Sequence, residues 1–178
     1  MAPICMDTQN SGYTLIELMI VIGIVGIFLS YAVPGFQNLM SHHRLNAAMS
    51  KMSYSIKLAR QEASIRHKDV RICASEDGLF CNGKKDFSTG WIIYVDDSKK
   101  PFRSPTDELL AQYGPTKNVS IKYNRGREVK LNKFGRVGLN GSINFCPKSN
   151  KKLAKRLVII HSSRIRSSLK GVRCNDSK

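Results

Sequence analysis

From Tyr13 to Phe36 the chain reads YTLIELMIVIGIVGIFLSYAVPGF, 24 residues with one charge, Glu17. A helix rises about 1.5 Å per residue and about 20 apolar residues cross a hydrocarbon core, so the run is long enough to span a membrane. A core helix would keep a polar face, and this run shows none. A cleaved secretory signal needs basic residues before the run and a small-residue site after it. Residues 1–12 carry no Lys or Arg, and the run closes on Pro34-Gly35-Phe36. Beyond Phe36 the pattern turns amphipathic. Leu45, Met49, Met52, Ile56, Ala59 and Ala63 recur every three or four residues, between Arg44, Lys51, Lys57, Arg60, Glu62 and Arg66. That spacing marks one helical face. It predicts a single helix over about residues 13–68, bare and membrane-spanning over 13–36, striped over 37–68, and loosened at Pro34-Gly35.

From Val70 the period falls towards two. Val70–Cys73, Trp91–Val95, Leu109–Tyr113, Val119–Tyr123, Ser142–Cys146 and Leu157–Ile160 read as short strands, with Val129–Leu131 and Arg164–Arg166 as weaker ones. Turn residues separate them: Asn82-Gly83, Asp96-Asp97, Gly114-Pro115, Asn124 to Gly126, Asn140-Gly141 and Pro147. One long helix followed only by strands is an α+β arrangement, the helix packed on an antiparallel β-rich head over residues 69–178.

Composition changes this picture through charge. The 29 Lys and Arg face 13 Asp and Glu, a formal net charge of +16. Residues 37–116 hold 12 basic and 9 acidic residues, whereas 117–178 hold 17 basic and 2 acidic. A surplus so polarised should make one electropositive region and favours polyanionic partners.

Ser11-Gly12-Tyr13-Thr14-Leu15-Ile16-Glu17 opens the apolar run. Here the chain resembles the type IV pilin and pseudopilin family: a short polar leader ending in Gly, an aromatic first mature residue, Glu at the fifth mature position and Pro near the twenty-second. With Tyr13 as first, Glu17 is fifth and Pro34 twenty-second. Tyr13 stands where Phe is commoner, and the leader lacks the usual basic residue. The resemblance implies that a prepilin peptidase removes residues 1–12 after Gly12, that Tyr13 is then N-methylated, and that Glu17 meets the freed amine of a neighbouring subunit. A carboxylate within an apolar helix needs such a partner. It also implies a single-pass inner-membrane protein, its head in the periplasm and later on the cell surface among other pilins.

The remainder resembles the FimT/GspH branch of minor pilins and pseudopilins. That branch carries Phe-Cys-Pro, an apolar strand, then Gly-Arg-x-Arg. The matching residues are Phe145-Cys146-Pro147, Leu157 to Ile160, and Ser163-Arg164-Ile165-Arg166, with Ser163 in place of the Gly. Lys148, Lys151, Lys152, Lys155, Arg156, Lys170 and Arg173 surround this stretch, and no acid lies between Glu128 and Asp176. In a strand Arg164 and Arg166 share one face, about 7 Å apart, a separation of the same order as that of successive phosphates on a DNA strand. Arg forks phosphate bidentately and Lys adds point charge. These residues make two functions natural. One is DNA capture during uptake for natural transformation, through Arg164 and Arg166 with Lys148, Lys151, Lys152, Lys155, Lys170 and Arg173 auxiliary. The other is a structural pilin or type II secretion pseudopilin that initiates fibre assembly without DNA.

Cys5 falls in the leader; Cys73, Cys81, Cys146 and Cys174 remain and allow three pairings. Cys73–Cys81 would close a short Gly-containing loop, and Cys146–Cys174 would tie the basic tail to the head. The absence of any Cys-x-x-Cys argues against zinc. No cofactor and no enzymatic activity are expected. Gly78-x4-Gly83-Lys84 imitates a phosphate loop, but Lys85 stands where Ser or Thr must hold magnesium.

Overall fold

The computed structural model describes residues 14–149 and 151–168 together with Val172 and Cys174. Gly12, Tyr13, Lys170 and Arg173 lie outside the described residues, as does the side chain of Lys152.

Helix α1 spans Leu15–Arg66. Thr14 caps it, its hydroxyl accepting the Glu17 backbone N–H at 3.3 Å. Thr14 and Glu17 thus have the spacing of a capping box. Up to Leu39 the large apolar side chains described are exposed, Leu15, Ile22, Phe28 and Phe36 among them. Taken singly, no helix among the described residues is long and apolar enough to cross a membrane. Leu15–Ser30 and Gly35–Arg66 meet that requirement together, as two parts joined at a break.

From Met40 the chain forms a separate compact unit. The stripe Leu45, Met49, Met52, Ile56, Ala59 and Ala63 is buried there, joined by Ala48. The helix stops where His67 takes a left-handed φ of 54°. Arg66, in its last turn, reaches Glu62 and Glu108 at 2.6 Å each.

Eight strands follow: β1 Val70–Ala74, β2 Trp91–Val95, β3 Leu109–Tyr113, β4 Val119–Tyr123, β5 Glu128–Leu131, β6 Gly141–Pro147, β7 Lys155–Ile159 and β8 Ile165–Ser168. The strands expected from the two-residue period are present, including both weak ones, but they form two sheets. The first has the order β3-β2-β1-β5 and the second β4-β6-β7-β8, with every pairing antiparallel.

Both sheets share one core with α1, built from Ile72, Trp91, Ile93, Ile121, Ile143, Phe145, Leu157 and Ile159. Trp91 donates from Nε1 to the Ser55 hydroxyl at 2.9 Å and stacks on Tyr113 with centroids 5.2 Å apart. β1 and β2 are buried on both faces, because Cys73, Ile92 and Tyr94 form a second small cluster with Cys81 and Leu109. In β4 burial alternates, Val119, Ile121 and Tyr123 inward and Ser120 and Lys122 outward, the signature of a sheet with one wet face.

Residues 132–138 stitch the sheets together. Val137 bridges Leu131 of β5, while its N–H donates to the His161 carbonyl at 3.1 Å. Gly135, with φ +68°, lies against α1: a Cβ there would meet Ser64 Oγ at 2.6 Å and the Arg60 carbonyl oxygen at 3.0 Å. Disulfides join Cys73 to Cys81 and Cys146 to Cys174, with Cα atoms 5.6 and 5.8 Å apart.

Candidate nucleic-acid interface

The outward face of the second sheet is set by its register. Lys122 pairs with Asn144, Asn144 with Arg156, and Arg156 with Ser168. These four share one row across β4, β6, β7 and β8. In the neighbouring row Val158 pairs with Arg166. The four strands contain Lys122, Lys155, Arg156 and Arg166 and no Asp or Glu. Ion pairs seen in the head join Arg66 to Glu62 and Glu108, Lys68 to Asp97, Arg71 to Asp96 and Glu128, Lys84 to Glu76, and Lys130 to Glu128. Asn144 Oδ1 accepts from Arg156 Nε at 2.9 Å and orients that guanidinium.

Arg164 and Arg166 are both exposed. Arg164 precedes β8 but continues its ladder, its carbonyl accepting the Ile160 N–H at 3.1 Å. The two arginines therefore flank Ile165 on the outward side of an edge strand. Ser163, in the place of the family's Gly, is buried with a left-handed φ of 59°. A glycine enters that conformation without a Cβ penalty. Ser163 holds it by donating its hydroxyl to the Gly135 carbonyl and its N–H to the Ile160 carbonyl.

Of the other expected cations, Lys148, Lys151 and Lys155 do not form one patch with these. Lys155 projects to the helix side, its Nζ donating to Asn46 Oδ1 at 2.8 Å, because its position in β7 alternates with that of Arg156. Lys148, whose N–H donates to the Asn118 carbonyl, is exposed at the end of the sheet where Val119 pairs with Pro147. Exposed Lys151 follows on a short 3-10 turn. Arg164 sits at the opposite end, near Gly141 and Asn140. Lys122 and Arg125 had not been singled out. The alternation Val-Ser-Ile-Lys-Tyr in β4 was the available signal for Lys122. Arg125 joins only through the fold, its Nε donating to the Asn140 carbonyl at 3.0 Å.

The first sheet handles charge differently. Arg71 is nearly buried and pairs with Asp96 and with Glu128, the latter at 3.1 Å. Burial alone would lower the Arg71 pKa, but these carboxylates hold it raised. Burial also raises the Tyr94 phenol, whose hydroxyl contacts Glu128 at 3.4 Å.

Comparison with known proteins places the arrangement. Residues 48–163 match the family described as Type II transport protein GspH, and residues 7–33 match the prokaryotic N-terminal methylation motif. A fimbrial protein of Pseudomonas aeruginosa is 37% identical over 119 residues, covering 64% of this chain and 74% of that protein. A type IV major fimbrial protein FimA of Dichelobacter nodosus is 27% identical over 147 residues, 77% of this chain and 86% of FimA. The type IV minor pilin FimU of P. aeruginosa shares the fold with a TM-score of 0.58 at 18% identity, over 71% of this chain and 89% of FimU. The minor pseudopilin EpsH of the Vibrio cholerae type 2 secretion system does so at 0.51 and 12%, over 72% and 98%.

A long N-terminal helix bearing the methylation motif, packed on antiparallel sheets, defines the pilin class. Within it, the chain belongs to the family described as Type II transport protein GspH. Membership implies assembly with other pilins, peptidase processing at the N-terminal motif, and membrane anchoring before assembly.

Proposed function

We propose that this protein is a minor type IV pilin that captures extracellular DNA through the outward face of its second sheet, during uptake for natural transformation. Arg164 and Arg166 form the centre of the contact, Arg156 and Lys122 extend it across the sheet, and Lys148, Lys151, Lys152, Lys170 and Arg173 are auxiliary. The observation that carries the reading is a four-stranded sheet with basic outward residues and no carboxylate of its own. Phosphate contacts of this kind are independent of sequence and weaken steeply with salt. The affinity of one subunit is modest and is multiplied by repetition along a fibre.

The rest of the chain serves delivery. A prepilin peptidase cuts between Gly12 and Tyr13. Residues 13–36 hold the subunit in the inner membrane with its head in the periplasm. Glu17 then meets the methylated amine of a neighbour, which draws the head into the pilus. The side chains exposed on the N-terminal part of α1 support this sequence of events.

The test is retention of plasmid DNA by residues 40–178, the compact unit that contains every buried residue described. Arg164→Gln with Arg166→Gln should weaken binding at every DNA sequence. It should also flatten the plot of log affinity against log salt by about 2. Unchanged retention would remove the site. The type II transport description of the matching family favours a second reading, a pseudopilin that starts a secretion fibre. That reading is preferred if wild-type protein fails to hold DNA even at low salt.

A further inference from the structure

Where the ends of the two sheets approach each other, a cavity of about 420 Å³ opens beside β4 and β5. Phe102 and Leu139, with the 5% exposed Tyr123, give it apolar walls, and Arg125 and Arg127, with the Glu128-paired Lys130, give it cations. Leu139 is 68% exposed, an aliphatic side chain left in water at this site. The one carboxylate there, Glu128, already contacts Arg71, Lys130 and Tyr94. A neutral apolar occupant would leave the cations idle, and a plain acidic chain would leave the aromatic walls idle. A nucleotide joins a flat apolar body to an anion and uses both. Its size also suits a cavity of ordinary ligand-site volume.

Arg125, on the cavity wall, is also bonded to the end of the second sheet. Arg125 donates to the carbonyl of Asn140, Asn140 Oδ1 accepts the His161 N–H, and the carbonyl of Arg164 accepts the Ile160 N–H. These bonds run along one end of the sheet from β4 to β8, three strand spacings or about 14 Å. A strand held on Arg164 and Arg166 has its next few nucleotides within reach of the cavity.

We propose that this cavity receives an unpaired base of the bound strand, with Arg125 and Arg127 on its flanking phosphates. The protein then prefers DNA with single-stranded ends to blunt duplex. The inference rests on the DNA reading, but it is tested apart from it. Base stacking on aromatic walls is sequence-tolerant, so the preference depends on the overhang and not on its sequence.

The experiment compares residues 40–178 bound to two duplexes of equal length, one blunt and one with a short single-stranded overhang. The overhang should bind about tenfold tighter. Leu139→Ala and Arg127→Gln should each bring the ratio of the two affinities towards one, whereas Arg164→Gln with Arg166→Gln should weaken both ligands and preserve the ratio. Equal affinities in the wild type would overturn the base site and leave the basic face standing. If neither duplex binds, a titration with deoxythymidine monophosphate, followed by NMR, decides. Shifts at Phe102 and Leu139 that Arg127→Gln abolishes would keep the cavity as a nucleotide site; their absence would overturn it. Displacement of the overhang by an aromatic and acidic peptide at equal potency in wild type and Arg127→Gln would count against it as well.

Discussion

The two sheets of the head, each of four antiparallel strands, solve opposite problems. The first is covered on both faces at its two central strands and cancels charges internally: Arg71 with Asp96 and Glu128, Lys130 with Glu128. The second is covered by α1 on one face only, and its outward cations have no carboxylate in the sheet to meet. Buried charge must be matched or it is expensive, whereas exposed charge can be left unmatched at little cost to folding. The first sheet is therefore where substitutions should unfold the head, and the second where they should leave it folded and change what it holds.

The largest effect is expected at Arg71. Arg71→Met would leave Asp96, 5% exposed, without its cation and should cost about 3–5 kcal/mol, read as a fall in the thermal midpoint. Each sheet also carries one disulfide, and the loops they close differ in length. Replacing Cys73 and Cys81 by Ser should cost about 2–3 kcal/mol, and replacing Cys146 and Cys174 about 3–4, by denaturant titration under oxidising conditions. An inverted order would mean that strain or residual structure outweighs loop length.

Ser163→Ala should cost about 1–3 kcal/mol, since it strands the Gly135 carbonyl while keeping the left-handed backbone. Ser163→Gly should stay within about 1 kcal/mol of the wild type, because relief of the positive φ offsets the lost bond.

Acid provides a smaller test. Burial alone would raise the Asp107 carboxyl, but backbone N–H groups of Ser104 and Ser98 and the Ser98 hydroxyl hold it below the usual carboxylate range. A depressed folded value contributes stability that is fully present above the unfolded pKa, near 4, and lost as pH falls through the folded one. Asp107→Asn should therefore flatten the loss of stability below about pH 4, followed by circular dichroism. The smallest effect on folding belongs to Arg164→Gln with Arg166→Gln, within about 0.5 kcal/mol, although the same pair should change DNA retention most. A clear loss of stability there would break the contrast between the sheets.

The helix and the strand positions could be read from the chain because they rest on local periods. The stripe from Leu45 to Ala63 and the alternation in β4 each repeat within one element. The division into two sheets could not, since β4 leaves its sequence neighbours to pair with β6 across the chain. The same limit applies to the basic residues. Arg164 and Arg166 are neighbours in sequence and remain so in space. Lys155 and Arg156 are adjacent yet point apart, and Lys122 and Arg125 reach the interface only through pairings with Asn144 and Asn140, well removed in sequence.

Gly135 has a mechanical consequence. Its bare Cα is a notch into which the Arg60 carbonyl and Ser64 of the helix fit, and it lies on a segment bonded to both sheets. Sliding the helix by a single residue, about 1.5 Å, would carry both groups out of register. A pull along the helix axis therefore reaches the head at this detent, and the two sheets take up the load together.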